Sequence, residues 1–243
     1  MVKARELHPI QLDSDLSLEN WAERFARQAH LESVEKLAKA VGLIHQLEKA
    51  DASAAGWKGP DAYQFGLEMA DILSMMPIDE DALVAALLYR SVRIERLKLR
   101  DVRDQFGKTV ARLIDGVQQM AIISKTHQDT PKQLLGMAEN QADAVRRMLI
   151  AVIDDVRVAL IKLAERTSAI RAVKSASSAR RLKVAREVSD VYAPLAHRLG
   201  IGHLKWELED LSFRYLNETG YRQIAQALAE RREARERYIE EVV

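Results

Sequence analysis

The side chains most often recruited for chemistry are here six histidines, His8, His30, His45, His127, His197 and His203. No two lie three or four residues apart, the spacing that sets two metal ligands on one helical face. His197 and His203 flank a glycine-rich joint and read as structural there. His30 and His45 fall in helical segments and read as surface or satisfied core residues. The chain has no cysteine, which excludes disulfides, thiolate nucleophiles and zinc–thiolate sites. Gly200-Ile201-Gly202 lacks the longer pattern of a phosphate-cradling loop. No Ser/His/Asp arrangement follows from spacing. Read from its residues alone, this is a soluble, nearly all-helical domain with no evident active site.

The elements that would position any site follow from periodicity. A chain of 243 residues, 48% of them apolar, can bury a sizeable core. Basic and acidic residues nearly cancel, 37 against 36, so the total charge does not point to nucleic acid, although a patch can hide in a balanced total. No signal segment or transmembrane run is present, and the expected compartment is the cytoplasm. Apolar residues recur at helical spacing. Helices are predicted over 18–27, 31–48, 61–75, 79–93, 99–106 and 110–123, with Asp79 as an N-cap. A long helix is predicted over 138–173, on a stripe running from Ala142 to Leu163. Further helices are expected over 179–199, kinked or ended by Pro194, then over 204–216 and 221–243. Lys125 to Gly136 reads as the main loop.

Two stretches carry a resemblance. Tyr192-Ala193-Pro194-Leu195-Ala196-His197-Arg198-Leu199-Gly200, followed by Lys205-Trp206-Glu207-Leu208-Glu209-Asp210, is the more specific. Val145-Arg146-Arg147-Met148-Leu149, running on to Ile161-Lys162-Leu163-Ala164-Glu165-Arg166, is the second. From about Asp61 to Val243 the chain resembles the N-terminal region of the RelA/SpoT family of (p)ppGpp synthetases and hydrolases. The resemblance implies an all-α, multi-helix bundle like an HD domain over 1–200. A helical connection over 201–243 would then lead toward a synthetase domain that lies beyond this sequence.

In hydrolase-competent members of that family, His, Asp and Glu side chains hold a manganese ion. By resemblance, Phe65 stands about where the first histidine would be. Tyr89 and Arg90 replace the His-Asp pair. Arg93 and Ile94 replace the Glu-Asp pair tied to water activation, and Glu165 replaces the last aspartate. Thr167-Ser168-Ala169-Ile170 lacks the family's nucleotide-contacting His-Asn, leaving Ala169, and Lys58 alone remains of a basic stretch. Hard divalent cations need oxygen or imidazole ligands. A unit-charge pair at ~4 Å is worth ~4 kcal/mol at an effective dielectric of ~20, so a guanidinium facing a divalent ion meets roughly twice that in repulsion. Arg90 is therefore expected either to pair with Glu165 or to point to solvent from the helix end.

What the resemblance implies is a degenerate hydrolase domain. It would hold no metal and no cofactor of its own, and it would regulate a downstream synthetase domain. That domain would use Mg and ATP/GTP as a GTP pyrophosphokinase of the stringent response. The expected partners are this synthetase domain and, through other regions of the parent, the ribosome. No membrane is expected, and (p)ppGpp is a candidate effector. The charged final segment, with Arg231, Arg232, Arg235, Arg237 and Glu240, is the expected connection. Two alternatives stand beside this reading: a module that binds guanine nucleotide without cleaving it, and a residual metal-dependent hydrolase.

Overall fold

The computed structural model describes residues 23, 25, 34–52, 62–128 and 155–242. Its helices are α1 (Glu35–Ala52), α2 (Ala62–Ser74), α3 (Glu80–Arg93), α4 (Leu99–Phe106), α5 (Lys108–Gln128), α6 (Val156–Ala172), α7 (Ser178–Glu187), α8 (Ala193–Arg198), α9 (Gly202–Leu216) and α10 (Glu218–Val242). A 3₁₀ turn, Val173–Ser175, precedes α7, and a π-helical turn, Val188–Tyr192, follows it. The described residues form no strand. The architecture is all-α, as the periodicity predicts.

The chain divides into two compact units that meet within α6, between Ser168 and Ala169. In the first unit, α3 is the central element and packs on α1, α2 and α5. Eight consecutive α3 residues, Ala82 to Tyr89, are fully buried. A helix apolar on every side can only be a core helix. Asp79 caps it as predicted, accepting from the Ala82 N–H at 3.0 Å. The close approach of α2 to α3 requires Gly66, because a Cβ there would lie 2.6 Å from the Leu87 carbonyl oxygen.

Two predicted elements are corrected. The single helix expected over 138–173 does not run through, since α6 begins at Val156. Asp155 stops it: its carboxylate accepts from the Arg157 N–H at 3.0 Å and from Arg157 Nε at 2.9 Å. An aspartate that captures the backbone in this way favours a cap over a helix interior. The stripe from Ala142 to Val152 lies outside the described residues. The loop expected from Lys125 starts later, because α5 stays helical through Gln128; residues 129–136 also lie outside.

In the second unit α7, the π turn and α8 all pack on α9. The helix predicted over 179–199 is broken where Pro194 requires it. Proline has no N–H to donate, and its ring crowds the preceding turn. The chain widens into the π turn and restarts with Pro194 in the first turn of α8. Gly200, at φ 73°, closes α8, with the Ile201 N–H reaching back to the Ala196 carbonyl at 2.9 Å. The α10 helix starts earlier than predicted, at Glu218, where the Asn217 side chain accepts from the Gly220 N–H at 3.0 Å.

Two glycine substitutions test this packing. Gly66→Ala should destabilise by roughly 1–3 kcal/mol through overpacking against α3. Gly42→Ala, in α1 with nothing within 4 Å of the new Cβ, should stabilise by ~0.5–1 kcal/mol through helix propensity. Urea denaturation of the two variants checks the opposite signs.

Candidate functional site

The residues singled out by sequence fall on three helices. Phe65 lies on α2; Tyr89, Arg90 and Arg93 lie on α3, with Ile94 at its C-cap; Glu165 and Ala169 lie on α6. Phe65 and Tyr89 are buried, as is Glu165 at 1% exposure. The Arg90 guanidinium sits over the Phe65 ring, 5.3 Å from its centre, a cation–π geometry. Arg90 is therefore not the solvent-pointing group envisaged as one alternative. Nor is it the α3 cation that meets Glu165: Arg93, one turn on, donates from Nη1 to Glu165 Oε1 at 2.8 Å. Ala169 follows Glu165 by one turn of α6 and belongs to the second compact unit. Lys58 lies outside the described residues.

Two further cations complete the cluster. Lys162 Nζ donates to Glu165 Oε2 at 2.9 Å, and Arg166 Nε donates to the same oxygen at 2.6 Å. Arg166 Nη2 also donates to Oε1. Lys162 is 1% exposed and Arg166 8%, so this is a buried lattice rather than a surface ion pair. Sequence reading quoted Lys162 and Arg166 within a motif but gave them no role. On a helix of ordinary amphipathicity, Lys-Leu-Ala-Glu-Arg reads as a solvated face. The available signal was the company they keep, since Val158, Ala159, Ile161, Leu163 and Ala164 are also buried and leave α6 no wet side there.

The electrostatics follow from burial. Burial alone would raise the Glu165 carboxyl, but Lys162, then Arg166 and Arg93, overcome it and hold it well below the usual carboxylate range. Burial pulls the Lys162 ammonium down to about 8, against the opposing pull of Glu165. Burial, and then the Glu165 charge, push the Tyr89 phenol up to about 12. Tyr89 is thus a neutral phenol at physiological pH, and its hydroxyl is fully enclosed.

These residues do not fit a divalent metal. Both Glu165 oxygens are taken by cations at hydrogen-bond distance. Tyr89 offers no phenolate, and Phe65 and Ile94 carry no donor. Among the described residues no three His, Asp or Glu side chains gather. Of the described histidine side chains, His45 packs on the Tyr63 ring, 5.3 Å between centres, while His197 and His203 are exposed.

An all-helical core of this kind is what a known domain class shares. The HD-domain family matches residues 40–202, and the chain belongs to that family. It is 46% identical over 196 residues to the GTP pyrophosphokinase of Escherichia coli (strain K12), covering 79% of this chain and 25% of that protein. It is 41% identical over 181 residues to the GTP pyrophosphokinase of Haemophilus influenzae, covering 74% and 24%. With the Photobacterium angustum GTP pyrophosphokinase it shares 37% over 239 residues, covering 98% and 31%. The chain thus spans about a quarter to a third of the length of these relatives. The family match and these relatives bear out the RelA/SpoT resemblance. No helix among the described residues is long and apolar enough to cross a membrane.

Glu165→Gln should destabilise the chain by roughly 3–5 kcal/mol, because it leaves buried cations without their counter-charge. Arg93→Gln, whose side chain is 31% exposed, should cost only about 1 kcal/mol or less. Calorimetric melting of both variants tests the contrast, and equal shifts would contradict the burial argument.

Lys162 gives a pH signature. Its folded pKa is about 8 against an ordinary 10.5. Between these values the folded chain binds fewer protons than the unfolded one, so this group's contribution rises with pH across that window and is lost as pH falls through 8. Urea melts at pH 7, 8, 9 and 10 should show the wild type gaining on Lys162→Met as pH rises. Parallel curves would refute the assignment.

Proposed function

We propose that this chain is a catalytically inactive (p)ppGpp-hydrolase-like domain that regulates the synthetase domain of a GTP pyrophosphokinase in the cytoplasm. The observation that carries this reading is the Glu165 cluster. Where hydrolase-competent relatives would need carboxylates and imidazoles around an ion, Arg93, Lys162 and Arg166 occupy the carboxylate that remains. A group already saturated by cations cannot polarise a metal-bound water. Chemistry on the alarmone then belongs to the synthetase domain downstream, which would bind Mg and ATP/GTP. Regulation requires that domain to contact this one differently in its resting and active states.

The test is direct. The 243-residue protein, incubated with ppGpp and excess Mn²⁺, should release no pyrophosphate above a protein-free blank, and Mn²⁺ should not raise its melting temperature. Metal-dependent pyrophosphate release would establish the residual-hydrolase alternative instead. Calorimetry with ppGpp in the same buffer separates the third reading: micromolar binding without cleavage would make the domain a nucleotide-sensing module. For the regulatory half, Arg93→Glu in the parent protein should change its basal synthetase rate several-fold. An unchanged rate would remove the regulatory role.

A further inference from the structure

A second feature, far along the sequence from the hydrolase-like positions on α2 and α3, is a concentration of positive charge. Residues 166–186 contain seven of the 37 basic residues of the chain and none of its 36 acidic ones. Arg166 and Arg171 are consumed internally, Arg166 by Glu165 and Arg171 by Glu207, whose two oxygens it meets at 2.6 and 2.8 Å. The remaining five belong to the 3₁₀ turn and α7 of the second unit. Lys174, Arg180, Lys183 and Arg186 are exposed, and among the described residues no hydrogen bond or ion pair engages their charged groups. Arg181 ties the turn to the helix, donating to the Lys174 carbonyl at 3.3 Å and to Ser178 Oγ at 3.3 Å.

The arrangement selects its partner by shape as well as by sign. Arg180, Lys183 and Arg186 recur every third residue, each advancing ~4.5 Å along α7 and together sweeping ~120° of its circumference. Lys174 lies in the 3₁₀ turn before α7, where its carbonyl accepts from Arg181. Such a row is too long for one phosphate group and suits a run of them. The stretch has no aromatic residue, so it offers no platform on which single-stranded bases could stack. Leu182, at 36%, is its one large exposed apolar side chain, too little for a lipid surface or an apolar peptide. A regular backbone of phosphates, met by unpaired cations without base contacts, is the matching chemistry.

We propose that the α7 ridge, Lys174, Arg180, Lys183 and Arg186, binds the phosphate backbone of double-helical nucleic acid without reading its sequence. The near-neutral total of the chain hides this ridge, because the rest of the sequence carries the compensating acids. The proposal is independent of the Glu165 cluster and stands or falls separately from the function proposed above.

Fluorescence anisotropy of the 243-residue protein with 20-base-pair RNA and DNA duplexes, from 50 to 300 mM salt, tests it. Binding should weaken steeply with salt, with a log–log slope of about −3 to −4 for four phosphate contacts. Arg180→Gln/Lys183→Gln/Arg186→Gln should lower affinity tenfold or more at 100 mM salt and flatten that slope by about three. All three side chains are exposed, so its circular dichroism should be unchanged and its melting temperature unchanged or slightly raised as like-charge repulsion is relieved. Lys98→Gln/Arg100→Gln/Lys108→Gln removes the same charge elsewhere and should bind like wild type. Preference for the RNA or the DNA duplex identifies which source is used. The proposal is overturned if neither duplex binds at 50 mM salt, or if both triple variants lose affinity equally. It also fails if poly-glutamate binds the ridge more tightly than either duplex, which would assign it to an acidic protein.

Discussion

The first unit is organised around a carboxylate that cannot be left alone. Glu165 is 1% exposed, and an ionised group so placed forfeits several kcal/mol of hydration unless opposite charge replaces the water. Three cations do so, and they come from different places. Lys162 and Arg166 come from its own helix, whereas Arg93 comes from the last turn of α3. The α3 contribution ties two elements 72 residues apart in sequence. Arg93 is the final residue of α3, Ile94 caps it, and the chain turns at once through Glu95 at φ 63°.

The same cluster shows how side-chain cations alone can hold a buried carboxylate in this core. A divalent ion in such a fold does two jobs: it activates water and it neutralises buried carboxylates. Only the first needs an open coordination position. The second needs positive charge at hydrogen-bond distance, and guanidinium and ammonium groups supply it without any ion. Lys162 and Arg166 hold Glu165 from its own helix, and Arg93 adds a third partner from α3. Arg90 has a separate task, covering the Phe65 ring.

Much of this was legible in the sequence, for identifiable reasons. The boundaries of α3 and α4 follow from Asp79 and Gly107, residues whose side chain or lack of one dictates a cap or a turn. That Phe65 and Ile94 carry no metal donor is readable from residue type, whereas their correspondence to ligand positions comes only from the family resemblance. The partner of Glu165 was not legible, because choosing between Arg90 and Arg93 depends on how far α3 rotates before it ends, and periodicity does not fix that to one residue. Lys162 was missed for a related reason. A lysine three residues before a glutamate is the commonest surface pattern on a helix, and only the apolar surroundings of α6 make it a core pair. The break at Asp155 was overlooked because the apolar stripe continues through it, while a cap acts through one backbone N–H and leaves no periodic trace.

The charge of the molecule illustrates the limit of totals more generally. A count of 37 against 36 argues against a polyanion partner only if the charges are mixed evenly, and they are not. Screening confines each exposed charge to about 8–10 Å at physiological salt, so a partner at α7 senses its local row and little of the acids elsewhere. Along α7, Arg180, Lys183 and Arg186 follow one another at ~4.5 Å per step and fall within that radius. Such clustering is costly unless used, since like charges three residues apart on a helix repel by a few tenths of a kcal/mol per pair. Arg166 and Arg171, in the same acid-free run, are each matched to a glutamate in the core, Glu165 and Glu207. The exposed members of the run have no such match among the described residues, and that difference between buried and exposed cations of one segment is what motivates a binding role for the exposed ones.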